Sequence, residues 1–66
     1  MIAHVLYLNG SPCATVCGNS PRETCDAVEA YLQAQGVRFE YAGAGEWETL
    51  IHGVLSVYRV DYAHTV

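Results

Sequence analysis

The chain contains no lysine, and three arginines stand alone against seven acidic side chains among 66 residues. A net charge of −4 with Arg22, Arg38 and Arg59 scattered singly excludes direct nucleic-acid binding, which is built from clustered cations. Charge of either sign is scarce, at 15% of residues, well below the usual quarter of a globular chain. Together with a 52% hydrophobic fraction, that scarcity excludes an acidic disordered tail. No run reaches the ~18 apolar residues of a membrane-spanning helix. The start, Met1 to Leu8, lacks the basic region of a secretory leader, and Asn9-Gly10 interrupts it early. The expectation is a complete small reading frame, one domain over 1–66, in a cytoplasm.

Cysteine is present three times, as Cys13, Cys17 and Cys25. An odd count in such a chain excludes a self-contained disulfide framework, and buried free thiols are expected. A metal site would need these cysteines with His4, His52 or His64. Residues four apart in a strand lie ~13 Å from one another, too far to share one zinc, so no metal or other cofactor is expected. No serine or cysteine sits in a nucleophile elbow, and Gly43-Ala44-Gly45 runs straight into Glu46 and Glu48, which would repel phosphate. The chain is read as no enzyme, with no catalytic residues.

The residues that are present specify a compact fold. Ile2–Leu8 reads as a strand, Asn9-Gly10 as a tight two-residue turn, and 11–17 as the returning strand. Pairing Leu8 with Ser11, Leu6 with Cys13, His4 with Thr15 and Ile2 with Cys17 puts Ile2, Leu6, Leu8 and both cysteines on the core face. The other face then carries Ala3, Val5, Tyr7, Pro12, Ala14 and Val16, and is also largely apolar. Ser20-Pro21-Arg22-Glu23 is a capping box with proline at the first helical position. It predicts a helix from Pro21 to about Gln35, stopped by Gly36, with Cys25, Val28 and Leu32 facing the core. Glu23 is expected to reach back to the Ser20 N–H.

Val37–Tyr41 alternates as a half-buried strand, and 42–45 reads as a flexible turn. The segment 46–52 reads either as a strand, with Trp47, Thr49 and Ile51 on one face, or as a short helix. The glycines before it and its tryptophan and threonine favour the strand. Val54–Tyr62 is a further strand whose alternation slips near Val57, as at a bulge; Ala63–Val66 is expected to fray. The order β-β-α-β-β-β implies an α+β fold, a small antiparallel sheet with one helix packed on one face.

The acids form two groups in this reading: Glu23, Asp26 and Glu29 along the helix, and Glu46 and Glu48 bracketing Trp47. Arg22, four residues before Asp26, offsets part of the first. Beside a solvated face kept for solubility, an acidic face with an aromatic in it suits docking into a basic groove, anchored by Trp47 or Tyr41. The profile of short length, lysine-free acidity and hairpin–helix–sheet order resembles the small phage-encoded anti-CRISPR proteins. The resemblance covers the whole chain and rests on profile, with no motif carried over residue by residue. It implies an inhibitory binding protein in a host bacterial cytosol, a DNA mimic that blocks the DNA-binding surface of a CRISPR effector complex. Its partner would be the basic protein surface of a nucleic-acid-handling complex, met by Glu23, Asp26, Glu29, Glu46, Trp47 and Glu48. The alternative is a homo-oligomeric structural or accessory module of a phage or mobile element, burying Ala3, Val5, Tyr7 and Val16 in a dimer.

Overall fold

The computed structural model describes residues 2–61. Five strands and one helix follow in the order β1 (Ala3–Leu8), β2 (Ser11–Cys17), α1 (Pro21–Ala34), β3 (Glu40–Gly43), β4 (Glu46–Ile51) and β5 (Val54–Val60). The strands form one antiparallel sheet in the spatial order β2-β1-β5-β4-β3, and α1 packs on one face. This is the α+β architecture expected from the sequence. Segment 46–52 resolves as a strand over Glu46–Ile51. Tyr62 and the tail 63–66 lie outside the described residues.

Local chemistry builds each element. Ser20 caps α1, its Oγ accepting from the Glu23 N–H at 3.2 Å, and Pro21 opens the first turn. The carboxylate of Glu23 accepts from the Asn19 N–H at 2.9 Å, one residue earlier than the capping-box expectation. At the other end Gly36 adopts φ 72°, and the Val37 and Gly36 N–H groups donate to the Leu32 and Gln33 carbonyls, which closes the helix in a Schellman motif. Substituting Ser20 by alanine removes the side-chain cap and should cost about 1 kcal/mol in a urea titration, with no change of fold.

Three two-residue turns close the hairpins: Asn9-Gly10, Ala44-Gly45 and His52-Gly53. All six residues have positive φ, the primed-turn geometry that matches the twist of the flanking strands. Alanine and histidine at the first position of two of these turns hide them from a reading that looks for Asn-Gly.

The core is made by the helix-facing side of the sheet. Leu6, Val16, Trp47, Tyr58 and Val60 are buried against Val28 and Leu32 of α1. Thr24 is wholly buried and Cys25 only half-buried, so the helix stripe is rotated slightly from the expected Cys25–Val28–Leu32 line.

The β1–β2 register departs from expectation at one point. Leu8 pairs with Ser11 as predicted, but the ladder slips between Leu6 and Tyr7, leaving Cys13 as an extra residue. Leu6 therefore faces Ala14, and His4 faces Val16. A one-residue slip exchanges the two faces of a strand. Ala14 and Val16 turn toward the helix, and Cys13 and Cys17 are exposed rather than buried. The slip predicted near Val57 is absent, since β4 and β5 pair without interruption. A second irregularity falls at Ala42 instead. β3 also begins later than predicted, at Glu40, because Val37 is used to close α1.

Candidate docking surface

The helix group of acids is largely spent on structure. Glu23 holds the Asn19 N–H, and the Glu29 Oε2 accepts from the Trp47 indole Nε1 at 2.9 Å. Asp26 is exposed, beside a shallow groove of about 290 Å³ lined also by Arg22, Cys25, Glu29 and Tyr41.

Trp47 does not join a surface. It has 0% exposure, paired in register with Tyr58 and Tyr41, its ring centroid 5.2 Å from that of Tyr41. Strand alternation makes this unavoidable: Trp47 points at the helix, so Glu46 and Glu48 point away from it. The expected cluster around Trp47 is thus split across the sheet, and the exposed aromatic among the described residues is Tyr41, on the helix side.

The side of the sheet away from α1 carries no covering element among the described residues. Register places Val5, Tyr7, Leu55, Val57, Arg59, Glu46, Glu48, Leu50 and Glu40 on this open face. Tyr7 lies opposite Arg59, whose guanidinium sits 5.8 Å from the ring centroid, and Arg59 lies opposite Glu46 on its other side. Aromatic, cation and anion thus form one row across three strands. In the next row Val57 faces Glu48, and Glu48 faces Glu40. Like charges directly opposite on neighbouring strands are destabilising. The same pair borders a shallow groove of about 330 Å³ shared with Arg38, Phe39 and Leu50. Beyond it Leu50 and Leu55 face each other, 70% and 62% exposed.

Glu40 opposite Glu48, with the apolar row beside it, is the feature that the sequence reading missed. A signal existed. Taking His52-Gly53 as a two-residue turn pairs Ile51 with Val54 and then Leu50 with Leu55 and Glu48 with Val57, as observed. The Glu40–Glu48 pairing also needs the extra residue at Ala42, for which no local signal is visible.

Although Cys13 is exposed, partial desolvation pushes its thiol pKa up, away from the thiolate form that a nucleophile needs. Burial likewise raises Tyr58, helped by the neighbouring Cys13 and Tyr31. Among the described residues no three His, Cys, Asp or Glu side chains gather as a metal site; His64 lies outside them. His4 is buried and its Nε2 meets the Gly18 carbonyl at 3.3 Å. No helix among the described residues is long and apolar enough to cross a membrane. No protein family, curated protein or solved structure matches this chain.

Proposed function

We propose that this chain is a non-catalytic inhibitory binding protein that meets a basic protein surface with the open face of its sheet. The observation that carries the reading is Glu40 held directly opposite Glu48. Folding alone gains nothing from two opposed carboxylates, and either one exchanged for lysine would turn repulsion into attraction. An arginine or lysine from a partner supplies the missing charge, and Leu50, Leu55 and Val57 supply apolar contact around it. Glu46 adds a third acid to the same face. The docking acids are accordingly Glu40, Glu46 and Glu48. Glu23 and Glu29 keep their places as a cap and as a tryptophan acceptor.

The partner class follows from the charge. A surface that holds nucleic acid is extended and cationic, and a face of opposed carboxylates competes with phosphates for it. The proposed target is the DNA-binding surface of a CRISPR effector complex, where the protein acts as a partial DNA mimic. The test is competition between this protein and target DNA for purified effector complexes, at two salt concentrations. The parent should displace DNA more weakly at high salt, and a Glu40→Lys/Glu48→Lys double variant should lose most of that effect. If the double variant displaces DNA as well as the parent, the reading fails. The single Glu48→Lys variant should also be more stable than the parent in a urea titration, by a few tenths to about 1 kcal/mol, as repulsion becomes attraction.

A further inference from the structure

We infer that, in the free protein, a second copy of this chain covers the open face of the sheet. The face has the size for it. The molecule measures 35 × 21 × 19 Å, so its largest side projects on the order of 700 Å², the same order as the ~800 Å² that each partner buries in a stable interface. It has the composition as well. Val5, Leu50 and Leu55 are 39%, 70% and 62% exposed, with Val57 and Tyr7 half-buried between them. Sheets that pack face to face interdigitate such residues into a layer ~10 Å thick, the arrangement of a β-sandwich.

Charge selects a copy of the same chain as the occupant. The open face carries an anion pair in direct register, Glu40 with Glu48, in a groove that Arg38 also lines, and a cation, Arg59, exposed between Tyr7 and Glu46. A two-fold axis in the plane of the face sets Arg59 of each copy over the glutamate pair of the other, so both ends of the contact are satisfied by one symmetric operation. The resulting particle has helices outside and two sheets inside. Because the same acids are buried, the dimer and the basic partner proposed above exclude each other, and self-association holds the docking face in reserve.

Sedimentation equilibrium of the full chain tests this directly. The expected mass is twice 7.2 kDa at about 0.1 mM, falling toward 7.2 kDa on dilution. Val57→Lys puts a cation directly opposite Glu48 within its own sheet, which preserves the fold while charging the interface. It should weaken association about tenfold or more. Asp26→Lys, on the helix side, should leave the mass unchanged. A parent mass of 7.2 kDa throughout overturns the inference, as does a dimer that Asp26→Lys disrupts and Val57→Lys does not. Either result leaves the DNA-competition test of the binding function standing on its own.

Discussion

Trp47→Ala is expected to leave the chain largely unfolded. The indole is entirely buried on β4, between β5 and the edge strand β3 and facing α1, and it is the largest fully buried side chain among the described residues. Truncating a buried tryptophan costs about 3–5 kcal/mol through lost transfer energy and the cavity left behind. A domain of this length has a total of only about 3–10 kcal/mol to lose. Glu29 would also lose its indole donor and keep a half-buried carboxylate. Far-UV circular dichroism in a urea titration reads the result. Trp47→Phe separates the two contributions: it keeps most of the ring and removes the N–H, for an expected loss of about 1–3 kcal/mol. A Trp47→Ala protein within about 1 kcal/mol of the parent would mean that the tryptophan is not the centre of the core. It would also reopen the surface anchor that the sequence suggested.

The second large effect is expected at Gly18, on the short link between β2 and α1. A Cβ there would sit 2.6 Å from both the backbone nitrogen and the Oγ1 of Thr24, and 2.8 Å from its Cα. Backbone atoms cannot rotate aside, so Gly18→Ala must push the start of the helix off the sheet. The link is tied on both sides. The Gly18 N–H donates to the Ile2 carbonyl at 3.0 Å, and the Gly18 carbonyl meets His4 at 3.3 Å. Thr24 in turn donates its hydroxyl to the Ser20 carbonyl at 2.9 Å, inside the capped first turn. The expected loss is about 3 kcal/mol, at the upper end for overpacking, because the clash is with main chain. Adding Thr24→Ala removes the hydroxyl but leaves the clash with the main chain of residue 24, so it should recover only part of the loss. A Gly18→Ala midpoint equal to that of the parent would contradict this close approach of loop and helix.

Both predictions concern features with little trace in local sequence. Gly18 reads as an ordinary loop glycine. Its φ is not in the left-handed region, and only the position of Thr24 in space makes it necessary. Trp47 reads as a candidate surface aromatic because glutamates stand on both sides. In a strand that neighbourhood means the opposite, since Glu46 and Glu48 share a face and Trp47 takes the other. The choice between strand and helix over 46–52 therefore decided what the acids could do. Strand geometry freed Glu46 and Glu48 for the open face and committed the tryptophan to the core.

The sequence by itself determined the elements and their order. Capping at Ser20, the stop at Gly36, the Asn9-Gly10 turn and the period-two runs act over a few residues, and their chemistry does not wait for the rest of the chain. Tertiary structure alone decided which side chains meet. An extra residue at Cys13 exchanged the inner and outer sets of β2, exposing two cysteines and burying Val16. Another at Ala42 set Glu40 against Glu48. Such slips cost little locally and are chosen by packing between strands distant in sequence. Part of the acidity visible in the composition was thus set in opposed register on one face of the sheet only when β3 paired with β4.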